Sequence, residues 1–292
     1  MIVIQQVING LMIGGIYVLM GVAFTLAIGV LNFLNFSIPG LFMLGAMITW
    51  RALGGGLHWI GAICLGLAVV ATTSLMVERF TYRRMQGLDH EIPLVSSLGF
   101  LILFENLVLI AWGSDQQPFP AVMPDFNLRF SGLVVGVGQL TSLILALLLV
   151  VAVSIVLKRT RVGRGIRAIA ESADTATLLG VEVHRVVPIL FIVTGILVGI
   201  AGILFAMNYQ QVSFSMGHEV GNKGIAAMVI GGMGSIWGAV IGGLLIGLVE
   251  VMAIYAFGAN MADICVYGLL LVLLTLRPQG LLGGTTLVRE KL

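Results

Sequence analysis

The sequence predicts an all-α fold, a polytopic transmembrane helix bundle of about eight to nine spans, counting a possible half-helix, with a short helix in a cytoplasmic loop. Three observations carry the bundle. Of 292 residues, 59% are hydrophobic and 10% charged, where a soluble domain holds roughly 25% charged residues, so a globule of this size could not hide the apolar surface. Apolar runs of about 20 residues recur, and as helix that length crosses a hydrocarbon core of about 30 Å. The runs are continuous rather than alternating, which selects helices over a closed barrel, the other architecture that pairs every backbone group in lipid.

The first run, 3–31, has no Lys or Arg ahead of it and outlasts a signal-peptide core, so it is expected to remain as a span. Runs at 33–50, 57–77, 92–112, 137–157 and 188–208 follow, the first two weakly separated. The run at 223–236 is short and ends on Gly231, Gly232 and Gly234. It reads as a half-helix or re-entrant segment, which irregular backbone at membrane depth permits where it lines a cavity, or as a full crossing. Runs at 237–257 and 260–277 complete one transmembrane domain, 1–292. Cys64 and Cys265 lie inside apolar runs, where they behave as small hydrophobes and say nothing of redox compartment.

The net charge of +2 is unevenly spread. Arg79, Arg83 and Arg84 share one loop, Lys158, Arg159, Arg161, Arg164, Arg167 and Arg185 another, and Arg277, Arg289 and Lys291 follow the last run, which together is twelve of the fifteen basic residues. Cytoplasmic loops carry the Lys/Arg excess, and the number of intervening runs lets all three clusters be cytoplasmic if the short run crosses. The same reading puts the N-terminus outside and leaves Arg51, Arg129 and Lys223 for the other face. The segments 113–136, with Pro118, Pro120, Pro124, Asp115, Asp125 and Arg129, and 209–222 then face outward, as plain connectors or as docking points for an external partner.

The loop 158–187 is the most informative polar stretch. From Gly163 it reads GRGIRAIAESADTATLLGVEVHR, in which Ala168, Ile169, Ala173, Ala176, Leu178 and Leu179 give a helix with a mixed apolar face, Glu171 and Asp174 are polar, and Gly180 is the stop. Two spans can be joined by far fewer residues. The helix reads either as an interfacial element held to anionic lipid by its arginines or, the preferred reading, as a protein docking site.

Several of the 39 glycines stand four apart: Gly195 and Gly199; Gly234, Gly238 and Gly242; Gly243 and Gly247. That spacing lets helix backbones approach closely in lipid, which predicts tight packing and names no substrate. Glu105, Glu250 and Asp263 fall within spans, where a charge costs about 2.5–3.5 kcal/mol on insertion scales. On the topology above, Glu105 and Glu250 lie at similar depth on outward-running spans, either lining a polar path or hydrogen-bonded between helices. Asn9, Asn32, Asn35, Asn106 and Asn208 present the same choice. There is no GxxxxGK[ST] phosphate loop, and His58, His90, His184 and His218 lie in separate loops without metal-ligand spacing. No catalytic residue, metal, cofactor or nucleic-acid partner is expected, and ATP hydrolysis, if used, falls to another chain.

At this point four segments resemble the permease subunits of bacterial branched-chain amino acid ABC transporters, of the type often called the H subunit. They are NGLMIGGIYVLMGVAFTLAIGVLNFLNFSIPGLFMLGA (Asn9 to Ala46), GRGIRAIAESADTATLLGVEV (Gly163 to Val183), KGIAAMVIGGMGSIWGAVIGGLLIGLVE (Lys223 to Glu250) and RPQGLLG (Arg277 to Gly283). They occur in order over nearly the whole chain. One departure stands out: members of that family commonly carry Ala-His-Gly and an acidic residue after the Asn-Phe pair, whereas Asn35-Phe36 here leads into Ser37-Ile38-Pro39-Gly40-Leu41. A titratable ring and a carboxylate give way to small, apolar and helix-breaking residues.

The resemblance implies a multi-pass protein of the bacterial inner (plasma) membrane that assembles with a second permease subunit, either another copy or a homologous chain, two ATP-binding subunits and a periplasmic substrate-binding protein. Branched-chain amino acids are the implied solutes, with urea, short amides, small carboxylates or sugars as alternatives, and a stand-alone secondary transporter as the rival class. The implied coupling residues are Gly163, Arg167, Glu171, Ala173, Asp174 and Gly180, the charged ones meeting the ATPase and the glycines bounding the helix. Asn32, Asn35, Ser37, Glu105 and Glu250 are the candidates for the translocation path.

Overall fold

The computed structural model describes residues 2–85, 91–122, 127–130 and 133–283; His90, Pro124, Asp125, Arg289 and Lys291 lie outside them. In chain order the helices are α1 (Ile2–Leu31), α2 (Ser37–Gly54), α3 (Trp59–Val77), α4 (Glu91–Trp112), α5 (Val137–Arg159), α6 (Arg161–Glu171), α7 (Ala173–Leu178), α8 (Val183–Tyr209), α9 (Met216–Gly231), α10 (Ile236–Phe257) and α11 (Ala262–Leu276). A π-helical turn, Glu78–Tyr82, continues α3, and a 3-10 turn, Ala259–Met261, precedes α11. Four short strands complete the elements: β1 (Gln117–Pro118), β2 (Asn127–Phe130), β3 (Leu133–Gly136) and β4 (Gln211–Val212). Each of the nine expected runs forms a helix. Among the described residues, seven helices are long and apolar enough to cross a membrane. α2 and α9 are not among them, and the 16 residues of α9 span about 24 Å.

Two boundaries differ from the apolar runs for local reasons. α1 ends where Asn32 turns left-handed at φ 56°, a conformation that Asn tolerates better than most residues. α2 then waits until Ser37, because Asn35 Oδ1 accepts hydrogen bonds from the Ser37 amide (3.1 Å) and hydroxyl (2.7 Å) and forms a turn ahead of the helix. α9 begins at Met216 rather than 223. His218, Glu219, Asn222 and Lys223 interrupt the apolar run but not the helix, whose first turn is fastened by the Ser215 hydroxyl donating to Glu219.

The chain folds into two compact units. One comprises Leu26–Met123 and Leu149–Gly221. Its centre is α2, α3 and α8 in backbone contact: a Cβ at Gly45 would meet the Gly199 Cα, one at Gly202 the Phe42 carbonyl, one at Gly66 Thr49, and one at Gly195 Ser74. Close approach through small residues replaces the hydrophobic drive that helices lack in lipid. Ser74 Oγ adds a hydrogen bond to the Phe191 carbonyl at 2.6 Å, and Phe42 meets Phe205 edge-on at 5.7 Å. At one end β1 pairs with β4, Gln117 opposite Val212 and Pro118 opposite Gln211, and Trp50 Nε1 donates to the Pro118 carbonyl.

The other unit comprises Met1–Thr25, Pro124–Leu148 and Asn222–Leu292. Here α1 and α10 touch along Gly10 and Gly14 on one side and Gly243 and Gly247 on the other; a Cβ at Gly247 would lie 2.5 Å from the Gly14 Cα. α10 also meets α9, with Gly242 against the Ala227 carbonyl and Gly238 against Gly231. The segment after α11 closes the end of α9. The amides of Leu281 and Leu282 donate to the carbonyls of Ile230 and Gly231, each at 2.9 Å, while Gly232 (φ 107°) and Gly280 (φ 75°) pack against each other. The glycine block and the RPQGLLG motif are thus two halves of one joint.

Candidate functional site

The loop expected to dock a partner folds as two short helices rather than one. Thr160 Oγ1 caps α6 by accepting from the Gly163 amide at 3.0 Å. Ser172 interrupts the helix in an extended conformation, and its Oγ caps α7 by accepting from the Thr175 amide at 3.2 Å. Ser and Thr favour caps because the side-chain oxygen satisfies an orphan amide. Gly163 is buried, and a Cβ there would run into the carbonyls of Leu157 and Val156. α6 buries Ile166 and Ile169 and exposes Arg164, Arg167 and Glu171. Gly180, at φ 84°, ends α7: its amide donates to Thr177 and that of Val181 to Ala176, the pairing of a Schellman motif. Gly180→Ala is expected to cost about 1 kcal/mol, the left-handed penalty for an L side chain, read as a lower unfolding temperature and a loosened loop.

Between these helices and the end of α1 lies a groove of about 930 Å³, lined among others by Asn32, Ile169, Ala173, Asp174, Gly180 and His184. The fold therefore brings three of the six expected coupling residues together with one expected path residue. Arg167 and Glu171 are exposed and take no part in the lining. Leu178 and Leu179 are 88% and 76% exposed, an apolar knob at the tip of a charged loop. The nearby pair Arg185–Glu182 is open to solvent and adds little stability.

Glu250 sits elsewhere, in an ion cluster. Lys223 Nζ lies 2.5 Å from Glu250 Oε1 and 3.3 Å from Asp263 Oδ1, and 5.8 Å over the Tyr17 ring. One ammonium thus joins α9, α10 and α11 and touches α1. From sequence Lys223 falls to the outer face, at the start of the short run 223–236; its pairing is not expected there, and only the matching carboxylates on two later helices signal it. Breaking a buried pair leaves an uncompensated charge at a cost of about 3–5 kcal/mol. Lys223→Met is expected to lower the unfolding temperature sharply, and adding Glu250→Gln to recover part of the loss.

The remaining path candidates separate. Asn35 and Ser37 are buried and hydrogen-bonded to each other, and the Phe36 amide between them donates to Ser97 Oγ at 3.0 Å. Glu105, on α4, keeps Oε1 buried with no hydrogen-bond partner among the described residues. Glu78, 5% exposed in the π-helical turn, is a buried carboxylate that the sequence reading did not single out. π-Turns interrupt regular helix frequently at functional positions. No group of three or more His, Cys, Asp or Glu side chains with metal-binding geometry occurs among the described residues.

Long apolar helices packed through glycine, a buried carboxylate oxygen with no hydrogen bond among the described residues and a capped, charged loop fit a membrane-embedded transport permease. The chain belongs to the family described as branched-chain amino acid transport system / permease component, which matches residues 6–275. Among its relatives, the high-affinity branched-chain amino acid transport system permease BraD of Pseudomonas aeruginosa is 30% identical over 294 residues, 96% of this chain and 95% of BraD. LivH of Escherichia coli, a permease of the same description, is 28% identical over 96% of this chain and 95% of its own. The D-allose permease AlsC of Escherichia coli is 27% identical over 74% of this chain and 66% of its own. No solved structure matches.

Proposed function

We propose that this chain is the membrane-spanning subunit of an ABC importer for branched-chain or related amino acids in a bacterial inner membrane. It works with two ATP-binding subunits, a second permease subunit and a periplasmic binding protein. The observation that carries the reading is the match to BraD and LivH over 96% of the chain; the match to the sugar permease AlsC covers 74%, which favours amino acids over the sugar alternative. The tip formed by α7, with Leu178, Leu179 and Asp174, and the exposed Arg167 and Glu171 dock the ATPase. Gly163 and Gly180 hold the two ends of that loop. Glu105 is the strongest path candidate, because a buried oxygen without a partner is costly unless something uses it.

The test is uptake of radiolabelled leucine into vesicles. ATP-dependent uptake is expected only when ATPases, binding protein and both permeases are present. Full uptake by this chain alone would replace the reading with a stand-alone transporter. In the complete assembly Glu105→Gln is expected to lower leucine uptake at least about fivefold at unchanged assembly, a loss of about 1 kcal/mol in a transport step; unchanged uptake would return Glu105 to helix packing.

A further inference from the structure

We propose that Lys223, Glu250 and Asp263 form an entry site for the ammonium and carboxylate of a zwitterionic amino acid, an inference that rests on the amino-acid reading above. The side chains come from α9, α10 and α11 and grade in exposure from 66% at Asp263 through 14% at Lys223 to 10% at Glu250. They therefore form a ladder from an open edge into the helices. Asp263 stands in the first turn of α11, and a carboxylate that open is heavily penalised against hydrocarbon, so its free side meets water or protein.

Two features make the ladder a site rather than a closed ion pair. Its charges do not balance: two carboxylates share one ammonium, and Glu250 Oε2 is buried without a hydrogen-bond partner among the described residues. Its contacts are also unequal, 2.5 Å from Lys223 Nζ to Glu250 and 3.3 Å to Asp263, so Asp263 is the partner more readily given up. A solute ammonium arriving at the edge pairs with Asp263. Lys223 stays on Glu250 and turns one of its three N–H donors to the solute carboxylate. Both charges of the zwitterion are then met, and no charge is left unpaired in a low-dielectric setting. A solute with only one of the two charges satisfies half of the site.

The test uses the purified full-length chain and thermal unfolding with three probes: leucine, 3-methylbutylamine, which lacks the carboxylate, and 4-methylpentanoate, which lacks the ammonium. Leucine is expected to raise Tm by about 2 °C or more at saturation, 3-methylbutylamine by less, and 4-methylpentanoate to leave it unchanged; an amine shift as large as that of leucine overturns the carboxylate half of the site. Asp263→Asn should abolish the shifts, and Asp263→Glu should keep them. Absence of an amine shift in the wild type, or an equal shift in Asp263→Asn, overturns the proposal. Leucine uptake by the complete assembly is measured in parallel. Uptake without an amine shift removes the entry site alone, whereas an Asp263-dependent shift without uptake supports the site and removes the amino-acid importer reading.

Discussion

Exchanging Glu171 and Asp174 together for lysine is expected to lower ATP-driven uptake more than about tenfold while the protein still inserts and its partner still hydrolyses ATP. Both side chains are exposed, Glu171 at the last position of α6 and Asp174 in the first turn of α7, so neither supports the core. On the docking role proposed for them, like charges brought together at the interface cost several kcal/mol, and the damage falls on docking. Uptake and ATPase activity measured in the same vesicles separate the outcomes: loss of both with normal assembly locates the fault in hydrolysis, and wild-type values for both remove these residues from coupling. Replacing Leu178 and Leu179 by serine should weaken co-purification of the ATPase, because two leucines exposed by three quarters or more have nothing to gain from water.

The second large effect is steric. Gly247→Leu is expected to destabilise the protein by about 3 kcal/mol or more, the upper end of overpacking costs, since its Cβ alone would press on Gly10 and Gly14. Thermal unfolding in detergent and the yield of inserted protein both report it. Gly268→Leu is the control. A Cβ at Gly268, on α11, meets nothing within 4 Å, and the change should be close to neutral. Leu is the better helix former at both positions, so equal losses for the two substitutions would show that close backbone contact at Gly247 does not set the cost.

The helices were legible because the bilayer imposes a length and a composition, and nine apolar runs became nine helices. Glycine spacing was legible as a tendency to pack; which backbones meet, such as Gly45 with Gly199 or Gly14 with Gly247, depends on the tertiary arrangement, and periodicity along one helix carries no address for another. The charged loop announced a helix but not its break: Ser172 favours a cap, but serine also occurs inside helices, and only its extended backbone distinguishes the two. The path candidates were the least legible. Asn35 and Ser37 turned out to bond each other, Asn32 to end a helix, and Glu250 to be held by Lys223. A polar residue in an apolar run advertises an unmet need without naming the group that meets it, and that group can lie 27 residues away, as Lys223 does from Glu250.

The joint between α9 and the RPQGLLG segment bears on how the protein is made. The carbonyls of Ile230 and Gly231 receive their donors from Leu281 and Leu282, about fifty residues further along the chain, and in lipid an unpaired backbone group costs several kcal/mol. Synthesis runs from the N-terminus, so α9 and α10 leave the ribosome with that end of α9 still open, and it is sealed only after α11 and the turn beyond it have emerged. The segment that follows α11 therefore delivers the backbone donors that finish an earlier helix, and premature release anywhere before Leu282 leaves a nascent chain with an unfinished helix end.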